Sequence, residues 1–139
     1  MGFSLRARNK EVGEFTIGAF VWPILLQETG AGYILGYGAG RTPASYVYQT
    51  GNNGSPSSND GYKVTSEESK MIARVVKGFL SVQRFVNSEW ENTNEIQKNH
   101  MDDTVGGRYI YRRPWNEQSL EQFERFAEFA EKSKGFTIN

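Results

Sequence analysis

The sequence predicts an α+β fold that is mostly helical: two long amphipathic helices packed together, with a short N-terminal helix and short edge strands. Two stretches, 65–90 and 117–133, carry apolar residues at the three-and-four spacing of a helix that buries one face. The apolar segment 15–37 completes the core. A chain of 139 residues fits one domain, which would bury about two-thirds of its unfolded surface. We therefore expect residues 1–139 to form a single domain.

Charge and cysteine content exclude several classes of protein. The 16 Lys and Arg balance the 16 Asp and Glu, so no net field attracts nucleic acid or an anionic membrane. Because the chain has no cysteine, it has no disulfide, thiolate metal ligand or Cys nucleophile. We expect a soluble cytoplasmic protein that makes no membrane contact. Nucleic-acid binding is disfavoured because it would need a local basic patch.

The N-terminal region predicts a strand followed by a short helix. Residues 3–8 alternate apolar and polar side chains, which indicates an edge strand or an extended arm. The apolar run 15–26 is well short of the roughly 20 residues that a membrane helix needs, so it is a core segment. Pro23 suits the first turn of a helix, where its missing N–H leaves no bond unmade. We therefore predict a helix over 22–28.

Glycines dominate the next part of the chain. Gly30 or Gly32 is expected to end the first helix. The stretch 30–40 repeats glycine around a few apolar residues, which predicts a strand or tight turns rather than a stable helix. Residues 41–61 are rich in Gly, Asn and Ser and carry few groups to bury. They predict an exposed loop with its tip near Asn53.

The first long helix has a strong start signal. Thr65 can cap it, and Glu68 three residues later can reach back to the Thr65 N–H, so the helix should begin at Ser66. Its secure part should end near Trp90. Gly78 within it predicts the close approach of another element, since glycine otherwise weakens a helix. The predicted core stripe of this helix consists of Met71, Ile72, Val75, Val76, Phe79, Leu80, Val82, Phe85 and Val86.

The C-terminal part predicts a strand and a second long helix. Residues 108–112 alternate like a short strand. The last helix is predicted to begin after Pro114 and Trp115, with Asn116 or Trp115 at its boundary, and Gly135 lies where a left-handed C-terminal cap is needed. Its apolar face is predicted to contain Leu120, Phe123, Phe126, Ala127 and Ala130. Two apolar residues then hold the tail against the core, namely Phe136 and Ile138.

Several short motifs occur in order along about half of the chain. They are the Met-Gly-x-x-Leu start, Trp22-Pro23, Asn59-Asp60-Gly61 before the capped helix, and Phe126-x-x-Phe129-x-x-x-Ser133-x-Gly135-Phe136-x-Ile138 at the end. Together they resemble a family of small uncharacterised phage and bacterial proteins. The resemblance implies the same helix boundaries and a phage or mobile-element origin. It implies no activity and no catalytic residue.

The residues that could carry catalysis are few. His100 is the only histidine, so one chain cannot build a histidine relay or a multi-histidine metal site. The segment 100–103 is better explained as a solvated loop, because adjacent positions converge on one ion only through a special turn. Asp60, Glu67 and Glu68 suit a helix N-terminus electrostatically, and Glu68 also serves the cap. We therefore predict a protein that is not an enzyme and has no catalytic residue, metal or cofactor.

One segment could bind a phosphorylated small molecule. Gly36, Gly38 and Gly40 would let backbone N–H groups approach an anion, and Arg41 could bind a phosphate with two hydrogen bonds. Tyr37 could stack on a base. The segment lacks the Lys-Ser/Thr of a P-loop, and no helix follows it. An irregular strand or a turn is the competing interpretation, and we prefer it.

A second segment alternates cations with aromatic residues. It contains Tyr109, Tyr111, Arg112, Arg113 and Trp115. Tyr, Trp and Arg are enriched at the centres of protein interfaces. An amphipathic strand that buries one aromatic face would give the same pattern, and a nucleic-acid surface is a third possibility that the zero net charge disfavours.

By elimination, the sequence favours a non-enzymatic binding or interaction protein. With the phage or mobile-element origin that the resemblance implies, we expect an accessory protein that acts on a host protein. The alternative is a binder of a nucleotide or another phosphorylated small molecule through residues 36–41. No pattern in the sequence indicates an oligomeric state.

Overall fold

The computed structural model describes residues 2–35, 61–91 and 114–139 of the chain. Within these residues the fold is α+β and mostly helical, which confirms the predicted class. The elements in chain order are β1 (Gly2–Ala7), β2 (Glu14–Gly18), α1 (Val21–Thr29), α2 (Ala31–Leu35), β3 (Tyr62–Val64), α3 (Ser66–Glu91), α4 (Glu117–Lys132) and β4 (Phe136–Ile138).

The strands form an antiparallel sheet in the order β2-β1-β4-β3. Leu5 is paired with Phe15 on one side and with Ile138 on the other. Strand β1 is therefore an inner strand, and the prediction of an edge strand over 3–8 is wrong. Its second partner lies more than 130 residues away in the chain, and a local alternation pattern carries no information about such a distant pairing.

The helices cover one face of the sheet. Leu5, Ile17 and Ile138 point into the core and are almost fully buried, whereas Arg6 and Glu14 form an ion pair of 3.1 Å on the open face. Helix α4 packs against the covered face through aromatic contacts. The ring of Phe126 contacts those of Trp22, Phe15 and Phe136 at centroid distances of 5.4, 6.0 and 6.1 Å.

The predicted first helix is confirmed. Helix α1 has Pro23 in its first turn and ends at Gly30, whose φ of 85° is left-handed. The prediction that the next residues avoid a helix is wrong, because α2 forms there. The Thr29 hydroxyl accepts a hydrogen bond of 3.2 Å from the Ala31 N–H, and the α2 residues Ala31 and Leu35 are fully buried. Tertiary packing therefore outweighs the weak intrinsic helix preference of this segment.

The predicted capping box starts α3. The Thr65 Oγ1 accepts from the Glu68 N–H at 3.1 Å, and the Glu68 carboxylate accepts from the Thr65 N–H at 2.9 Å. The helix begins at Ser66 and extends to Glu91, one residue beyond the predicted end. This mutual bonding satisfies two backbone donors that would otherwise lack partners at a helix N-terminus.

The predicted core stripe of α3 is only partly correct. Ile72, Val76, Phe79 and Leu80 are buried, and we call them the inner face. Residues that the sequence placed beside them are exposed, by 46% in Met71, 56% in Val82 and 65% in Phe85. The apolar positions span more of the helix circumference than α4, α2 and the sheet can cover.

The two glycines singled out in the sequence differ in their surroundings. Gly78 is exposed, and a Cβ atom added to it would meet nothing within 4 Å, so the predicted close approach of another described element is wrong. Gly135 has a φ of 97°, and an added Cβ would lie 2.7 Å from the Val64 carbonyl oxygen. Gly135 has the left-handed backbone that the sequence predicts, but it is not the cap itself: the last helix ends at Lys132 with Ser133 as its C-cap, and the left-handed backbone already begins at Lys134, whose φ is 59°.

The start of the last helix is also confirmed. The Asn116 Oδ1 accepts from the Gln118 N–H at 2.7 Å, and α4 begins at the next residue, Glu117. The apolar face of α4 is buried as predicted. Phe136 and Ile138 are buried as expected, and they belong to a strand, β4, that the sequence did not predict. The predicted strand 108–112 and most of the predicted loop 41–61 lie outside the described residues.

Candidate interaction surface

Of the predicted site residues, Trp115 alone lies in the described part of the chain. The predicted ligand-binding residues Gly36, Tyr37, Gly38, Gly40 and Arg41 lie outside it. The same holds for the predicted interaction residues Tyr109, Tyr111, Arg112 and Arg113. The candidate site therefore consists of Trp115 and its neighbours.

Trp115 lies two residues before α4 and packs beside the junction of α3 and α4. Its half-buried ring meets Phe79 of α3 at 5.3 Å and Phe123 of α4 at 5.6 Å, both in edge-to-face geometry. Such ring pairs add about 0.5–1.5 kcal/mol beyond the area they bury. The ring is thus anchored in the core on one side and reaches solvent on the other.

The side chain of Asn87 fixes the backbone of Trp115. Its Oδ1 accepts from the Trp115 N–H at 2.9 Å, and its Nδ2 donates to the Trp115 carbonyl oxygen at 2.8 Å. Gln83, one turn earlier on α3, donates to the same Oδ1 at 3.0 Å. Neither residue was predicted from the sequence to belong to a site. Two amides four positions apart on an otherwise apolar helix face were the available signal, because buried amides need partners.

Arg84 joins α3 to α4 beside Trp115. Its guanidinium donates to Glu124 at 3.0 Å and to Glu117 at 3.3 Å. The hydrogen bond to Glu124 is the main cause that raises the pKa of Arg84, and the same bond lowers the pKa of Glu124. Arg84 therefore stays cationic at every physiological pH.

Two shallow clefts meet at Arg84. One, of about 370 Å³, lies between α3 and the start of α4, and Ser88, Trp90 and Trp115 are among its lining residues. The other, of about 460 Å³, follows the α3–α4 groove past Lys77. Both volumes fall in the range of ligand pockets, but their linings mix charged and apolar groups, whereas small-molecule pockets are mostly apolar. The first cleft suits one or two side chains of a partner better than a small molecule.

A second surface lies on α3 itself. Five positions form an exposed or half-buried line along the helix, and we call them the outer row: Met71, Val75, Gly78, Val82 and Phe85. Lys77 and Arg84, which bond to α4, lie about 100° around the helix from Gly78 and Phe85. The outer row therefore points away from α4. Exposed apolar patches with a polar rim are typical of interaction sites.

The described residues contain no group of three or more His, Cys, Asp or Glu side chains placed to hold a metal ion. Among the helices of these same ranges, none is both long and apolar enough to span a bilayer. The buried carboxylate of Glu68 is bonded within the capping box.

Among protein-family models, curated proteins and solved structures, none matches this chain. The functional proposal therefore rests on the geometry of the described residues.

Proposed function

We propose that the protein is a non-enzymatic interaction domain that binds a partner protein at the cleft beside Trp115. One observation carries the proposal. Asn87 bonds to both backbone groups of Trp115, and the half-buried Trp115 ring lies at the edge of a cleft bordered by Arg84. In this proposal the protein is a cytoplasmic phage or mobile-element accessory factor, and its partner is a protein of the bacterial host. The origin rests on the resemblance of the sequence motifs.

The chemistry of the cleft supports this choice. Trp and Arg are enriched among the residues that dominate binding energy in protein interfaces. A side chain that is already fixed loses less conformational entropy on binding than a mobile one. The double hydrogen bond from Asn87 and the contacts with Phe79 and Phe123 fix Trp115, while the ion pairs with Glu117 and Glu124 orient Arg84.

The test fills the cleft without disturbing the core. Ser88 is exposed and lines the cleft, so Ser88→Tyr should block it and leave the fold intact. Gln27→Tyr places the same side chain at an exposed position on α1 and serves as the matched control. Each tagged protein is used to capture partners from a bacterial lysate, which are identified by mass spectrometry. The proposal predicts a captured protein that Ser88→Tyr loses and Gln27→Tyr keeps.

A bound phosphorylated ligand would contradict this proposal. Native mass spectrometry of the purified protein would reveal a co-purifying nucleotide or sugar phosphate. If such a ligand raises the melting temperature, and Arg41→Ala removes the shift while Ser88→Tyr does not, the protein is a binder of phosphorylated molecules instead. Trp115→Ala is a poorer probe, because it also removes contacts with Phe79 and Phe123.

A further inference from the structure

The spacing of the outer row indicates that its partner is a helix. From Met71 through Phe85, and on to Glu89, the positions are separated by four, three, four, three and four residues. An average spacing of 3.5 residues keeps side chains on one line facing a second helix, as in a coiled coil. The row therefore has the pattern of a helix–helix contact. Among the described residues only Val75 is half-buried, beside Gly30 at the end of α1, whereas Met71, Val82 and Phe85 are exposed.

We propose that the outer row binds the outer row of a second copy of this chain, with the two α3 helices antiparallel. Charge complementarity selects this partner and orientation. Lys70 and Arg74 are exposed beside the first half of the row and form no ion pair within the described residues, and exposed Glu89 continues the row at its other end. An antiparallel pair brings Glu89 of each copy to Arg74 and Lys70 of the other. A parallel pair would place Lys70 and Arg74 of one chain beside Lys70 and Arg74 of the other, where like charges repel.

The sizes of the side chains favour the same orientation. Gly78 leaves a gap in the middle of the row, and Phe85 is its bulkiest member. In an antiparallel pair Val82 of one copy can fill the gap at Gly78 of the other, and Phe85 can pack beside Val75. A parallel pair would stack Gly78 on Gly78 and leave a void. The antiparallel contact is closed and two-fold symmetric, as in most homodimers, so it accounts for a dimer rather than a larger assembly.

The size of the contact predicts its strength. The outer row extends about 21 Å along the helix axis, or about 27 Å with Glu89 included, and it is only one side chain wide. Such a strip is narrower than the interface of a permanent dimer. We therefore expect a dimer that dissociates on dilution. This contact is separate from the cleft beside Trp115, so a measurement of mass tests it without reference to partner binding there.

The first experiment measures mass against concentration by sedimentation equilibrium. The mass should rise from 15.8 kDa in dilute solution toward twice that value. Val82→Glu places a charge in the centre of the row and should keep the protein monomeric. Gln118→Glu, at an exposed position on α4, should leave the dimer unchanged. Circular dichroism of each variant confirms that it is folded.

Two results of that experiment overturn the proposal. One is a monomer at every concentration, which would assign the row to another segment of this chain or to a different protein. The other is a dimer that persists in Val82→Glu, which would place the dimer contact elsewhere.

The second experiment tests the orientation. Arg74 and Glu89 lie 15 residues apart on one helix, about 22 Å along its axis, so they cannot form an ion pair within a chain. Arg74→Glu and Glu89→Arg should each weaken the dimer, by roughly 2- to 30-fold for two symmetric surface pairs. The double variant should restore most of the affinity. Single variants without effect, or a double variant that is weaker still, would overturn the antiparallel arrangement.

Discussion

The inner face and the outer row of α3 have similar residues but different surroundings. Phe79 on the inner face is 8% exposed and lies between the rings of Trp115 and Phe123. Phe85 on the outer row is 65% exposed and forms no ring contact within the described residues. Both positions belong to the same apolar periodicity. Periodicity therefore identifies the helix and its axis, but the elements packed around the helix decide how much of its circumference is buried.

The inner face and the outer row also differ in their polar contacts. On the side of α4, Ser69 Oγ bonds to the Ala130 carbonyl oxygen and lies 2.9 Å from Ser133 Oγ. Lys77 and Glu131 form an ion pair on the same side. The outer row has no equivalent contacts within the described ranges. The inner face is thus held by both apolar and polar contacts.

The largest expected effect distinguishes the two phenylalanines. Phe79→Ala should lower the free energy of unfolding by about 3–5 kcal/mol, because it opens a cavity beneath Trp115 and Phe123. Phe85→Ala in dilute solution should change it by no more than about 0.5 kcal/mol, since the side chain is largely solvated. Urea unfolding of both variants is the measurement. Equal losses would show that both faces of α3 are buried.

The two glycines provide the next contrast. Gly135→Ala should destabilise the protein by about 1–3 kcal/mol, because its φ is positive and the added Cβ would press on the Val64 carbonyl oxygen. Gly78→Ala should stabilise a dilute sample by about 0.5–1 kcal/mol, since an exposed helical glycine costs entropy and the added methyl meets no described residue within 4 Å. Thermal melts of the pair test both signs. A destabilising Gly78→Ala in the monomer would mean that the outer row is covered within the chain.

The N-terminal cap of α3 stabilises the whole helix, so its loss should not distinguish the inner face from the outer row. Thr65→Ala removes the oxygen that accepts from the Glu68 N–H, so it should cost about 0.5–2 kcal/mol. Thr65→Ser retains this oxygen and should stay close to the parent protein. Chemical unfolding would reveal the difference. Identical stability of the two variants would show that the cap contributes little to this helix.

The smallest expected effect concerns pH and the side of α3 that faces α4. Hydrogen bonds from Arg84 and Lys77 lower the pKa of Glu124 and of Glu131 below their usual 4.5. The unfolded chain binds more protons at these carboxyls, so their stabilisation is present above pH 4.5 and is lost as the pH falls through the lowered values. Both carboxyls are exposed, so the loss should be small.

Urea midpoints measured from about pH 7 down to about pH 3 test this pH dependence. The variant Glu124→Gln/Glu131→Gln should show a weaker decline on acidification than the parent protein. An unchanged pH profile in that variant would mean that other carboxylates cause the acid sensitivity.

Much of the fold follows from local signals in the sequence. The capping box at Thr65, the Asn116 cap and the glycine at position 30 each act within one helical turn. The capping box is observed as predicted, and Asn116 and Gly30 are each one of two residues that the sequence offered for their helix end. Long-range pairing is different, because nothing near Leu5 specifies Ile138 as its partner. Helix α2 was missed for the same reason, since its stability comes from burying Ala31 and Leu35 rather than from helix propensity.

The candidate surface was less predictable than the fold. The residue type of Trp115 was enough to predict it as an interaction residue. Its fixed position depends on Asn87, which lies 28 residues earlier on another helix. The outer row was included in the core because apolar spacing alone cannot indicate where neighbouring elements end. The sequence marks Gly78 as unusual because glycine weakens a helix. The structure shows an exposed gap in the helix surface there, whereas the sequence predicted an internal contact.

The accessibility of matched positions on the two faces shows whether α3 has one face buried in the fold and one open to a second chain. The protein has no cysteine, so Val76→Cys on the inner face and Val82→Cys on the outer row each provide a single thiol. In dilute solution the thiol at position 82 should react with a maleimide rapidly, and the thiol at 76 only through unfolding. Rising protein concentration should slow the reaction at 82 alone. If position 82 is as protected as position 76 in dilute solution, the row is covered within the chain and the account is wrong.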